Sequence, residues 1–200
     1  MFIVFEGGEG SGKSTQAKAL RRRLLRRGYP VVFTREPGGT PVGNRLRRQV
    51  LWGDGLTPQT ELLFILAARS QLVAEVIRPA LKRGDTVICD RYFYSTLAYQ
   101  GYGRGMDLGL LKSLNEFVTG GVTPDLVVFL DMDTEEGLER KDGDRDRFER
   151  EDMSFHRRVR EGYLEIAAAE PGRWLVLDAS MPRREIGERI WQRVQQALER

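Results

Sequence analysis

Eight consecutive residues near the start of the chain, Gly7-Gly8-Glu9-Gly10-Ser11-Gly12-Lys13-Ser14, satisfy every fixed position of G-x-x-x-x-G-K-[ST]. The chemistry of that spacing is phosphate binding. Glycines let successive backbone N–H groups converge on phosphate oxygens, and a helix opening near Lys13 adds the positive end of its dipole. Lys13 can bridge the β- and γ-phosphates of a nucleoside triphosphate, and the hydroxyl of Ser14, followed by Thr15, can ligate Mg²⁺. A second magnesium ligand is expected from Asp90, where the apolar run Val87-Ile88-Cys89 ends in an acid. Arg91 directly after it sets a cation beside the phosphates. Val128-Phe129-Leu130-Asp131 has the same form and competes for the role, and Asp90 has the alternative of capping a helix.

Arginine is the second chemical theme. Arg35, Arg47 and Arg91 follow separate strands or loops near the cradle, while Arg140, Arg145, Arg147 and Arg150 crowd around the segment 141–152. That segment is dense in charge and has no apolar residue except Phe148, so it reads as a surface loop or a mobile lid with no core to join. Phosphoryl transfer asks for aligned oxygens and neutralised charge more than for covalent chemistry. A mobile arginine-bearing lid would supply the neutralisation and keep water from the triphosphate. The attacking phosphate oxygen is already ionised at neutral pH, so no general base is needed, which suits a chain whose one histidine is His156. The absence of any N-K-x-D segment disfavours a GTPase.

The rest of the composition narrows the classes. Thirty-two basic against 29 acidic residues leave a net charge of +3, too mild to indicate nucleic-acid binding. The run Arg21 to Arg27 is either a polyanion patch or a solvated helix face with Leu20, Leu24 and Leu25 turned inward; the second is adopted. Cys89 is the only cysteine, which excludes an intrachain disulfide and a Cys/His zinc cluster. The longest apolar run, Leu62 to Ala68, is far short of the ~20 residues that cross a bilayer. Met1 to Phe5 is too short for a signal-peptide core, and a cytoplasmic location is expected.

The elements that must position this chemistry follow from patterning. Continuous apolar runs at Phe2–Phe5, Val31–Phe33, Thr86–Cys89, Leu126–Leu130 and Trp174–Leu177 read as buried strands. Helical spacing runs over Lys13–Arg27 (closed by Gly28), over Glu61–Leu81, and along Ile186, Ile190, Val194 and Leu198; Glu36 to Gly39 reads as a loop. The expected fold is α/β, a three-layer P-loop fold with a five-stranded parallel sheet flanked by helices, a single domain over 1–200 with a short arginine-bearing lid at about 141–152. Ligands then sit beyond the carboxyl ends of the strands, where all the polar motifs fall.

Taken in order, several segments carry a family resemblance. They are 5–16 around the cradle, Thr34-Arg35-Glu36-Pro37-Gly38-Gly39-Thr40, Asp90-Arg91-Tyr92 with Ser95 and Ala98-Tyr99-Gln100-Gly101, Asp146-Arg147-Phe148-Glu149, and Arg160-Glu161-Gly162-Tyr163-Leu164. Through them the chain resembles the bacterial thymidylate kinase family over nearly its whole length. The resemblance implies ATP + dTMP ⇌ ADP + dTDP with Mg²⁺, in a homodimer. It implies that Glu9 contacts the sugar 3′-hydroxyl and that Arg47 and Arg91 hold the monophosphate. By the same resemblance Arg69 reads a thymine carbonyl, Tyr99 lies under the sugar, and Gln100 lies near the base, with Glu36 and Ser95 completing the substrate-binding set. The cradle lacks the arginine that one subgroup carries there. Arg147 foremost, and Arg140 or Arg145, are therefore expected to act on the transferring phosphate.

One position departs from the family. Ile65 stands where a phenylalanine usually stacks on thymine, and Phe64 precedes it. Either Ile65 covers the base by dispersion alone, the reading adopted, or the helix is wound so that Phe64 reaches it. The competing functions are a kinase for another small acceptor, and an ATP-driven switch or nucleic-acid-associated ATPase using the arginine run.

Overall fold

The structure, a computed structural model, describes residues 1–140 and 144–199. Residues 141–143 of the expected lid lie outside the described residues. Strands β1 (Phe2–Gly7), β2 (Val31–Arg35), β3 (Thr86–Asp90), β4 (Leu126–Asp131) and β5 (Trp174–Asp178) form one parallel sheet in the order β2-β3-β1-β4-β5. This is the α/β architecture expected. The central strands β1, β3 and β4 are buried along almost their whole length, which is why their sequences are continuous apolar runs. The edge strands β2 and β5 are only partly buried.

Alternation along β1 divides the core. Ile3 and Phe5 face α1 (Lys13–Arg26) and α9 (Arg183–Leu198) through Leu20, Leu24, Ile186 and Ile190. Phe2 and Val4 face the opposite layer, with Leu72, Ile77 and Tyr92. That layer continues through Phe129 to Phe155, Val159 and Tyr163 of α8 (Met153–Ala169). The arginine run is a solvated face, with Leu20 and Leu24 turned inward as expected but Leu25 exposed instead of buried; Arg23 and Arg27 lie over the Trp191 ring at 4.5 and 4.4 Å, and Arg23 pairs with Glu188 at 2.8 Å.

Two helices begin at Thr-Pro pairs. Thr40 Oγ1 accepts from Gly43 N at 2.9 Å and opens α2 (Pro41–Trp52), a helix that hydrophobic spacing alone did not mark. Thr57 Oγ1 accepts from Thr60 N at 3.2 Å and starts α3 (Pro58–Leu72) ahead of the expected Glu61. The chain then passes through a wide π turn, Val73–Ile77, into α4 (Arg78–Lys82). Pro79 accounts for the wide turn, because its ring cannot donate to the Glu75 carbonyl and clashes with it in regular helix geometry. A second π segment, Leu97–Gly103, follows the short α5 (Phe93–Thr96). Through its broad turn both Tyr99 and Gln100 line the same cavity. The remaining helices are α6 (Leu108–Thr119) and α7 (Thr134–Glu139). No helix of the described residues is long and apolar enough to cross a membrane.

Candidate active site

Sheet register sets the site. Phe5 of β1 pairs with Asp90 and Val128, so the cradle leaves β1 beside the end of β3. Gly10 and Gly12 adopt left-handed φ values of 67° and 85°. A Cβ on Gly10 would lie 1.9 Å from the Gly137 carbonyl oxygen, so only glycine fits there. Lys13 Nζ donates to Gly8 O and to Ser11 Oγ (3.3 Å), folded over the loop that would hold phosphates. Burial, and next the Arg91 charge, bring the Lys13 ammonium down to about 8.

The Ser14 hydroxyl donates to Asp90 Oδ2. Asp131 is turned elsewhere: both its oxygens accept from Arg160, at 2.7 and 3.0 Å. Of the two aspartates considered from the sequence, Asp90 is therefore the one in contact with the cradle's Ser14. Arg91 is the only non-glycine residue with positive φ (71°) among the described residues, a conformation costing on the order of 1 kcal/mol that places its guanidinium centrally. Nη1 donates to Gly7 O at 3.0 Å, and Nη2 donates to Glu9 Oε1 and to Tyr99 OH (3.1 Å). Ser95 Oγ and Tyr163 OH also lie against it, at 3.4 and 3.3 Å, and both hydroxyls donate to the buried Glu6 carboxylate, whose pKa burial raises against the pull of Arg91.

From this end a cavity of about 390 Å³ runs toward α3 and the second π segment. Arg35 and Arg47 line it near the cradle, with Arg47 Nη1 donating to Pro37 O at 3.0 Å. Burial first, then Arg35 and Arg91, lower the Arg47 pKa, the mark of a positive potential suited to an anion. At the far end stands Arg69, 1% exposed. Its Nε donates to Glu36 Oε2 at 2.7 Å, and its Nη1 to Thr96 Oγ1 (2.8 Å) and Asn115 Oδ1 (2.6 Å). Nη2 lies 2.6 Å from the same Glu36 oxygen and keeps donor capacity for a ligand. Glu36 Oε1 is buried with no hydrogen-bond partner among the described residues, and burial lifts this carboxyl to about 7 despite Arg69.

The family model described as thymidylate kinase matches residues 5–190. The chain belongs to the thymidylate kinase family. It is similar to the thymidylate kinase of Deinococcus radiodurans, 53% identical over 194 residues that cover 96% of this chain and 94% of that one. A thymidylate kinase of Dehalococcoides mccartyi is 53% identical over 197 residues, covering 97% and 95%. Among solved structures, thymidylate kinase from Ehrlichia chaffeensis aligns with a TM-score of 0.80 at 36% identity, over 97% of this chain and 98% of that chain. The activity of a thymidylate kinase is ATP-dependent phosphorylation of dTMP to dTDP, and this chain is such an enzyme.

For a thymidylate kinase, the residues singled out from sequence are distributed unevenly. Glu9, Gly10, Gly12, Lys13, Ser14, Thr15, Glu36, Arg47, Ile65, Arg69, Asp90, Arg91, Ser95, Tyr99 and Gln100 all line the one cavity. Gly7, Gly8 and Ser11 form the turn behind it: Gly7 O receives Arg91, and Ser11 Oγ donates to Gly8 O at 2.9 Å. Of the lid arginines, Arg140 lines the cavity and pairs with Glu136 at 2.5 Å, whereas Arg145 is exposed and lines none of it. Arg147 is not among the lining residues either; its Nη2 donates to the buried Glu61, which also accepts from Gln100.

Two findings amend the sequence reading. The described part of the expected lid does have a core to join, because Phe148 is buried among Tyr99, Phe155 and their neighbours and lines the cavity. Ile65 also lines it, while Phe64 packs against the core and does not. The π turn begins only at Val73, so α3 is regular at Ile65 and does not bring Phe64 round. Phe148 is thus, with Tyr99, the aromatic surface that lines the same cavity as Ile65. Its signal was present as the lone apolar residue in a charged segment.

Proposed function

We propose that this enzyme transfers the γ-phosphoryl group of ATP to dTMP in one direct in-line step, both nucleotides lying end to end in the cavity. What supports this most is the coexistence, in one cavity, of a phosphate cradle at one end and the donor-bearing Arg69 with Gln100 at the other. The cradle amides and Lys13 hold the donor phosphates, and Lys13 leaves Gly8 O for them. Arg91 and Arg47 hold the dTMP phosphate, and Arg91 stands where charge builds during transfer. Glu9 accepts from the sugar 3′-hydroxyl, Tyr99 fills the space a 2′-hydroxyl would need, and Ile65 with Phe148 encloses the base. Ser95 buttresses Arg91, and Glu36 buttresses Arg69 while keeping Oε1 as an open acceptor. Arg140 closes over the transferred group from the cavity edge; Arg145 and Arg147 reach it only in a further closed lid, for which Arg147 must leave Glu61.

Ser14 and Asp90 fit Mg²⁺: a hydroxyl and a carboxylate are already in contact, and both are hard oxygen donors. Bound there, Mg²⁺ would offset charge on the β- and γ-phosphate oxygens.

The same reading includes a homodimer. Leu63 on α3 and Leu110 and Phe117 on α6 are 61%, 55% and 84% exposed, on two helices packed side by side, and a second copy would cover them. Sedimentation equilibrium giving one chain per particle would reject it. A cytoplasmic location follows from the need for ATP, and cell fractionation tests it. Acceptor identity is tested by coupled ADP release with dTMP, dUMP, dCMP, dGMP and thymidine. A preference for any acceptor other than dTMP overturns the proposal.

A further inference from the structure

Glu61 takes no part in the transfer, yet it is fully buried on α3 and accepts four hydrogen bonds. Oε1 accepts from Gln100 Nε2 at 2.8 Å and from Arg104 Nε at 2.7 Å. Oε2 accepts from Arg104 Nη2 at 2.8 Å and from Arg147 Nη2. Two guanidinium groups donate to it, and a carboxylate has about four acceptor directions and no hydrogen to give. All are taken, so every partner must donate.

For Gln100 this fixes the polarity of the carboxamide. Turned over, its oxygen would face Glu61 Oε1 with no hydrogen between them, in a site closed to water. The carboxamide oxygen Oε1 makes no hydrogen bond among the described residues, and Gln100 lines the cavity together with Arg69. We infer that Glu61 is a positioning residue for base recognition: by holding Gln100 Nε2 it leaves Gln100 Oε1 for the cavity, so that beside Arg69 the site offers one acceptor and one donor and selects pyrimidines with a hydrogen on N3. A 4-oxo pyrimidine presents an N3 hydrogen next to an O4 acceptor, and both are matched. A 4-amino pyrimidine presents a bare N3 next to an amine, and both are opposed. Uracil shares the thymine edge, so Glu61 does not separate dUMP from dTMP. Arg147 shares the carboxylate here, so until the lid closes further that segment helps hold the selecting geometry.

This inference rests on the dTMP kinase reading, and the test separates the two. In Glu61→Gln the amide has a hydrogen to donate and one acceptor oxygen fewer, which frees the Gln100 carboxamide to turn. The ratio of kcat/KM for dTMP over dCMP is expected to fall about tenfold or more, chiefly through KM, with dUMP following dTMP. Glu61→Asp keeps the carboxylate and is expected to retain more of the ratio. A merely structural role lowers dTMP and dCMP by the same factor, and an unchanged ratio in Glu61→Gln overturns the inference. If the unaltered enzyme shows no preference for dTMP, the underlying reading has failed instead. Should Glu61→Gln not fold, the unaltered protein decides. Its Gln100 side-chain amide protons, assigned by their loss in Gln100→Leu, are expected to exchange with solvent at least about tenfold more slowly than those of an exposed glutamine. Exchange as fast as an exposed side chain would overturn the inference.

Discussion

The Tyr99 hydroxyl donates to Glu9 Oε1 at 3.1 Å, on the same oxygen that receives Arg91 Nη2. One contact thus joins the second π segment to the cradle and fixes the ring that the proposed function sets against the acceptor sugar. Tyr99 packs edge-to-face with Phe148, Phe155 and Tyr163, which buttress the ring. Tyr99→Ala is expected to admit the ribose form of thymidylate as an acceptor, measured as its kcat/KM relative to dTMP. It should also lower stability by about 3–5 kcal/mol, read from denaturant unfolding. Tyr99→Phe keeps the bulk and should keep the exclusion. Equal rejection of ribose by Tyr99→Ala would mean the sugar is read by other groups.

Lys13 gives a pH-dependent signature. In the free protein its ammonium titrates near 8, lowered chiefly by burial. Bound phosphates favour the charged form, so ATP binding must raise this pKa and draw in a proton. The uptake is small at pH 6.5, where the amine is already charged, and reaches about half a proton per site at pH 8. Calorimetry in buffers of different ionisation enthalpy measures it. Lys13→Met should abolish the uptake, leave folding intact and reduce kcat by about two to three orders of magnitude. Proton release at pH 8 would place the lysine away from the phosphates.

Phe148→Ala removes the one aromatic side chain that the described lid segment contributes to the cavity. The expected result is a rise in KM for dTMP of about tenfold with a smaller change in kcat, since the lost contact is with bound base in ground and transition state alike. An unchanged KM would leave the base resting on Ile65 alone.

Much of this was legible in the sequence, for identifiable reasons. The central strands are buried on both faces and so announce themselves as apolar runs, and the cradle is a local motif whose function lies in its own backbone. Helix α2 escaped notice because its sequence is rich in arginine and only Gly43 and Val50 are buried; the Thr40-Pro41 cap was the readable sign. The resemblance marked Arg147 but could not foresee its pairing with Glu61, since their hydrogen bond spans 86 positions of sequence and depends on the path of the segment after α7. Glu61 itself entered the sequence reading only as the first residue of the helical stretch to Leu81. Its burial arises from the π segment, which brings Gln100 and Arg104 against α3, and no spacing rule encodes that packing.

The central claim is a single displacement between two nucleotide phosphates, with no phosphorylated residue of the protein in between. His156, the chain's only histidine, does not line the main cavity, so it is not placed to carry a phosphoryl group between the nucleotides. The most direct test uses ATP made chiral at the γ-phosphorus with oxygen isotopes and follows the configuration of the β-phosphorus in the dTDP formed. Inversion is the predicted result. Retention would require two successive displacements and would contradict the account.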